Sequence, residues 1–182
     1  VARVYLQQAI DADPEFAPAY AAMAISYQSM NENPDLAVAM ADRALALDPS
    51  NVDALNAKAA SLRHYRRWLE AESMFQQALA IDPSSAELLE DYAEFLAFVG
   101  RMDEALQVTS RGMSIDPNLV PLVAAHLEAL YANGEGARAR QLAAPESTDQ
   151  GWLAGMWLVA MPLWLDQSLF TDFVPAPPRP EI

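Results

Sequence analysis

An Asp-Pro pair returns four times in this chain, at Asp13-Pro14, Asp48-Pro49, Asp82-Pro83 and Asp116-Pro117, with spacings between prolines of 35, 34 and 34 residues. A regular period of this length marks stacked supersecondary units, because each unit is too small to bury its own apolar face and must bury it on a neighbour. The residues leading into each pair repeat as well. Ala9-Ile10, Ala44-Leu45, Ala78-Leu79 and Gly112-Met113 stand five and four places before the prolines, and Ala12, Leu47, Ile81 and Ile115 stand two places before them.

Inside each unit the apolar residues fall at helical intervals, as in Tyr20, Met23, Ala24 and Tyr27 and then Ala37, Met40, Ala41 and Ala44. That pattern predicts two helices per unit. Composition agrees: 53% of the 182 residues are apolar against 6 glycines, a balance that favours ordered structure, and the abundance of Ala favours helix. Each Pro would end a second helix, since it lacks an amide donor and restricts the residue before it. The preceding Asp, with Ser50, Asn51, Ser84 and Ser85 just beyond, would supply turn and capping oxygens. Turns within the units are expected at 31–35, 66–67, 100–101 and 134–136, where Gly100 and Gly134 suit a left-handed helix stop.

At this level the chain resembles the tetratricopeptide repeat family, whose 34-residue unit has an early aromatic and Leu-small pair, a second aromatic, a mid-unit Ala and a closing Pro. Residues 17–51 carry Tyr20, Met23-Ala24, Tyr27, Ala37, Ala41, Ala44 and Pro49, with one extra residue near Asn33-Pro34; residues 52–85 carry Leu55, Ala59, Leu62, Trp68, Ala71, Phe75, Ala78 and Pro83. Residues 86–119 carry Leu89, Tyr92-Ala93, Leu96, Gly100, Ala105, Gly112 and Pro117, and a degenerate unit at 120–143 carries Val123, Leu127, Leu130, Gly134 and Ala139. Residues 1–16 match only a second helix, so a partner helix upstream is expected. The resemblance implies an all-α fold, a right-handed α-solenoid of stacked antiparallel helix pairs across 1–143. Ala24, Ala37, Ala59, Ala71, Ala93, Ala105 and Ala139 would let neighbouring helices approach closely.

Beyond the array, 144–150 reads as a Pro-broken polar linker and 174–182 as a Pro-rich extended tail. Between them, 151–173 is an apolar helical segment with three of the four Trp residues. Its densest part, 151–165, is shorter than the roughly 20 residues a membrane span needs, and Pro162 would split it. It is expected to cap the array, or to dock on another subunit or a membrane interface through Trp152, Met156, Trp157, Leu163 and Trp164; membrane contact is expected only there.

The formal net charge of −14, from 25 acids and 11 bases, excludes nucleic acid as a main partner and favours a basic one. There are no cysteines, hence no disulfides, thiolate metal sites or cysteine nucleophiles. The two histidines fall in different units, and no nucleophile elbow, H-E-x-x-H helix or Gly-rich phosphate loop is present, so no catalytic, metal or cofactor site is expected. Compartment stays open, with cytoplasm slightly favoured.

The resemblance places partner binding on the first helix of each unit. Groove positions then include Ala21, Ala22, Ile25, Gln28 and Ser29; Asn56, Ala57, Ala60, Arg63 and His64; Glu87, Glu90, Asp91, Glu94 and Phe98; and Ala124, Ala125, Glu128 and Tyr131. Relatives that clamp a carboxyl terminus use Lys and Asn at these places, where this sequence has acids and Ala, so that clamp is not expected. Glu87, Glu90, Asp91 and Glu94 share one helical face as an acidic stripe, a seat for Arg or Lys of a partner whose binding would weaken as salt screens charge over roughly 8–10 Å. The candidate partner-binding residues are Glu87, Glu90, Asp91, Glu94, Phe98, Glu128, Tyr131, Asn56 and Arg63. Arg63-His64-Tyr65-Arg66-Arg67, the only dense positive run, reads as a solvated turn or an intramolecular contact with an acid. Lys58 and His126 take a slot the family fills with apolar residues, and are expected as a snorkelling stem and a hydrogen-bonded core imidazole.

The function these readings imply is a non-enzymatic scaffold that holds a partner polypeptide in its groove. Two alternatives stand beside it: an assembly subunit of a larger, membrane-associated complex docked through 151–173, and the sensor region of a bacterial signalling protein.

Overall fold

The computed structural model describes residues 2–29 and 33–142; the expected linker, Trp-rich segment and tail, with Trp152, Met156, Trp157, Leu163 and Trp164, lie outside them. The described residues are helical with short turns and contain no strand. They fall into two compact units that meet in sequence between Ser84 and Ser85.

The first unit holds α1 (Ala2–Ala12), α2 (Ala17–Ser29), α3 (Pro34–Leu47), α4 (Val52–Leu62), a 3-10 turn (Arg63–Tyr65) and α5 (Trp68–Ile81). The second holds α6 (Ala86–Phe98), α7 (Met102–Ile115), α8 (Val120–Ala132) and α9 (Gly136–Leu142). In the first unit α2 packs on α3 and α4, and α4 on α5; in the second α6 packs on α7 and α8, and α8 on α9.

The Asp-Pro period has a local cause. At each repeat the Asp carboxylate accepts the backbone N–H two residues on: Glu15 at 3.0 Å, Ser50 at 3.0 Å, Ser84 at 3.0 Å and Asn118 at 2.8 Å. This Asx turn holds the chain in the bend that Pro pre-sets. The Ser50 hydroxyl and amide both bond Asp48 and hold its carboxyl below the usual carboxylate range. The N–H of Asp48, Asp82 and Asp116 still closes the outgoing helix, on Ala44, Ala78 and Gly112. Immediately beyond, Asn51 caps α4 through Ala54 N–H (2.9 Å) and Ser85 caps α6 through Leu88 N–H (3.1 Å). Stop and restart thus occupy four residues.

The repeating small residues are where the helices meet. Ala37, Ala71, Ala105 and Ala139, each one period apart, are all buried, as are Ala24, Ala59 and Ala93. In the first unit Ala21, Ala44 and Ala54 form one contact cluster and Ala24, Ala41 and Ala57 another, so α2, α3 and α4 touch almost backbone to backbone. Three expected groove positions, Ala21, Ala57 and Ala60, are therefore core residues: a methyl side chain is short enough to disappear between two helices.

The second unit solves the same packing with different volumes. Gly112 stands two periods after Ala44 and Leu122 two periods after Ala54. A Cβ on Gly112 would come within 2.8 Å and 2.9 Å of the two Leu122 methyls, so the larger Leu is accommodated by removing a methyl opposite it. One polar pair also enters this core. Thr109, fully buried, meets the buried His126 with Oγ1 2.9 Å from Nδ1, while the Thr109 hydroxyl also lies 2.9 Å from the Ala105 carbonyl. Lys58, by contrast, reaches out to Asp42 at 2.7 Å.

Candidate functional site

The second unit carries a cleft of about 420 Å³ between its first-type helices α6 and α8. Ala93, Ala97, Ala124 and Ala125 line it from those two helices, and Ala105 contributes from α7. Around this apolar lining stand three carboxylates, Glu90 and Glu94 on α6 and Glu128 on α8, together with Pro121 at the start of α8 and Phe98 at the end of α6. Phe98 is 63% exposed, an uncommon place for a phenyl ring.

The geometry follows from helical spacing. Glu90 and Glu94 are four residues apart and so stack on one face, and Phe98 continues that row by one more turn. Ala93 and Ala97 run alongside. Their small size keeps the space between the helices open, since a Leu or Met at either position would fill it.

The structure distributes the sequence-predicted residues unevenly. Glu90, Glu94, Phe98 and Glu128 line the cleft, with Ala124 and Ala125. Glu87 is exposed at the first turn of α6 and Asp91 is half-buried, and neither is among the lining residues. Tyr131 lies one turn beyond Glu128 but packs with Leu127, Leu130 and Ala139, its ring against Gly136, where a Cβ would lie 2.9 Å from the ring edge. Asn56 and Arg63 belong to the first unit, half-buried on α4 and in the 3-10 turn. Sequence reasoning did not name Ala93, Ala97, Ala105 or Pro121 as lining; the small residues at 93 and 105 were read as helix-packing positions, and they serve both purposes.

The chemistry available here is recognition. Carboxylates at an apolar cleft bind cations and hydrogen-bond donors, and an exposed ring offers a face to an aliphatic stem or a guanidinium. Among the described residues no group of three His, Asp or Glu side chains is placed to hold a metal ion, and no helix is long and apolar enough to cross a membrane. The hydroxyl-imidazole pair of Thr109 with His126 is buried away from the cleft surface. Burial lowers the His126 pKa below its usual value, with Arg138 adding to the shift and Glu135 opposing it, so the ring is held neutral.

Helix pairs joined by capped turns, repeating every 34 residues with small residues at their contacts, define a helical-repeat protein of the α-solenoid class. Residues 62–130 match the family model of the tetratricopeptide repeat. Solved structures share the fold. The TPR protein TTC0263 of Thermus thermophilus matches with a TM-score of 0.71 and 16% identity over 86% of this chain and 89% of its own. The pilF protein of Pseudomonas aeruginosa matches with a TM-score of 0.66 and 22% identity over 94% and 83%. A MamA structure matches with a TM-score of 0.60 and 14% identity over 96% and 87%. At these identities the likeness establishes the fold alone. No curated protein sequence matches the chain significantly. The match over residues 62–130 implies a protein-interaction scaffold.

Proposed function

We propose that this protein is a non-catalytic scaffold that grips a segment of a partner polypeptide in the α6–α8 cleft, and that the segment is basic. The observation that carries this reading is the meeting of Glu90, Glu94 and Glu128 with the exposed Phe98 around a lining of alanines. A Lys or Arg side chain has the matching shape: its stem lies along the alanines and the ring while its head sits among the carboxylates. The net charge of −14 adds a long-range field that draws a cationic segment in, and raises the association rate more than the affinity. The non-catalytic part of the proposal is supported by the seclusion of the Thr109–His126 pair, which no substrate can touch without opening the core.

The test uses a fluorescein-labelled peptide of alternating Lys and Leu, followed by anisotropy at about 50 and 300 mM salt. Wild type is expected to bind with an affinity that falls as salt rises, because the Debye length shortens. Glu94→Lys/Glu128→Lys, both at exposed positions, is expected to weaken binding at low salt by about tenfold or more, with the helical spectrum unchanged. Equal affinity of the reversed variant and wild type would remove the cleft from the account.

A further inference from the structure

Positions 66, 100 and 134 lie one repeat apart, and all three adopt left-handed backbone, with φ of 55° at Arg66, 80° at Gly100 and 79° at Gly134. Each begins the turn between two paired helices, and in each the next residue's N–H returns to a carbonyl of the outgoing helix: Arg67 to Leu62 at 3.3 Å, Arg101 to Leu96 at 2.8 Å and Glu135 to Leu130 at 2.8 Å. Glycine enters this conformation without penalty, whereas a residue with a Cβ is strained there. Two of the three turns use the residue the backbone asks for. The third holds an arginine and closes with the longest bond of the set.

Strain kept at one of several equivalent positions points to what the side chain does. The Arg66 side chain is exposed, and among the described residues no carboxylate pairs with it. It stands in the stretch Arg63-His64-Tyr65-Arg66-Arg67, a dense run of cations in a chain of net charge −14. Arg67 is held in place by Glu70, Nε to Oε1 at 2.8 Å, and the Tyr65 hydroxyl donates to Asp35 at the start of α3. That second bond ties the edge of α3 to the turn; Leu36, next in sequence to Asp35, and Leu69, three residues after Arg66, are large apolar side chains left in solvent, Leu69 at 64% exposure.

We propose that this edge of the first unit is a docking site for an acidic peptide segment that also carries an apolar residue, with Arg66 as its anchor. The guanidinium takes a carboxylate in bidentate fashion, and Leu36, Tyr65 and Leu69 cover the apolar neighbour. The patch suits a short segment. A nucleic acid spreads its phosphates along a track that needs many cations in line and offers no aliphatic side chain to Leu36 and Leu69. This site takes the opposite charge from the α6–α8 cleft and stands or falls independently of it.

Replacing Arg66 by glycine removes the anchor and the strain together, so stability and binding should move in opposite directions. The probe is a labelled Glu-Glu-Leu-Glu-Glu-Leu peptide, read by anisotropy at about 50 mM salt beside thermal unfolding by circular dichroism. Arg66→Gly is expected to melt about 2–4 °C higher than wild type and to bind the peptide at least fivefold more weakly. Arg66→Lys, which keeps a charge without the bidentate fork, should bind between the two. The proposal is overturned if wild type does not bind the peptide, if Arg66→Gly binds as wild type does, or if Arg66→Gly melts lower. It is equally overturned if a single-stranded oligonucleotide of the same charge binds more tightly than the peptide through Arg66.

Discussion

Replacing Gly112 by alanine sets two opposing free-energy terms against each other within one helix. Gly112 lies inside α7, where alanine is better than glycine by about 1 kcal/mol because it restricts the unfolded chain and shields the backbone. The added methyl, however, meets the two methyls of Leu122 at 2.8 Å and 2.9 Å and its Cγ at 3.4 Å. Both methyls belong to one fork, so Leu122 must swing about its χ1 to clear the new methyl, and Leu122 is itself fully buried among its neighbours. Overpacking of this kind costs about 1–3 kcal/mol. The clash should therefore win, leaving Gly112→Ala less stable than wild type by roughly 0–2 kcal/mol.

The sign should reverse when Leu122 is shortened. Leu122→Ala alone is expected to lose about 2–5 kcal/mol through the cavity it leaves. In that background Gly112→Ala meets no methyl, and the double variant recreates the Ala44–Ala54 pair found two periods earlier. The same substitution should then add about 1 kcal/mol, so the coupling between the sites comes to about 1–3 kcal/mol, as for residues in direct contact. Urea unfolding followed at 222 nm on wild type, both single variants and the double variant closes the cycle. Additive effects, or a stabilising Gly112→Ala in the wild-type background, would refute the reasoning, because either result means that Leu122 does not fill the space the glycine leaves.

Ser85→Ala removes the hydroxyl that accepts the Leu88 N–H and should destabilise the second unit by about 1 kcal/mol in the same unfolding assay, whereas Ser85→Asp should restore it. His126 has a folded pKa below its unfolded value of about 6.5, so between the two the unfolded chain binds more protons; stability is fully present above about pH 6.5 and falls toward the folded pKa by at most about 1.4 kcal/mol per pH unit. His126→Gln should flatten the profile just below pH 6.5, above the range where the carboxyls of Glu70 and Glu104 begin to contribute; an unchanged slope would assign the loss to another group. Phe98→Ala should leave stability within about 0.5 kcal/mol of wild type, as its ring is mostly in solvent, and lower affinity for the Lys-Leu peptide about fivefold.

How far this fold can be read from its sequence depends on how local each cause is. The Asp-Pro period is legible because its cause spans three residues: a carboxylate accepting the N–H two places on, next to a ring that fixes φ. The four alanines at 37, 71, 105 and 139 are legible because burial at equivalent positions repeats. The Thr109–His126 pair is half legible, since the slot of His126 marks it as core while its partner sits 17 residues away on another helix. Arg66 hides its strain, because sequence alone predicts a turn there without showing that an arginine adopts the φ its glycine counterparts take.

The cleft shows where periodicity loses its power. A 3.6-residue period assigns a residue to a face, but depth depends on the volume across from it. Alanine is the ambiguous case, small enough to vanish between helices at Ala21 and Ala57 or to line an opening at Ala97 and Ala124, and nothing in its own chemistry chooses. Carboxylates and large rings choose more sharply. A charged carboxylate is costly to take out of water, so Glu94 and Glu128 stay at a surface wherever their helices pack. Phe98, which gains from burial and is nonetheless exposed, has no such reason in its own chemistry. Its exposure is therefore the observation on which the proposed bound segment rests, for an occupant covering the ring would recover the apolar burial that the free unit forgoes.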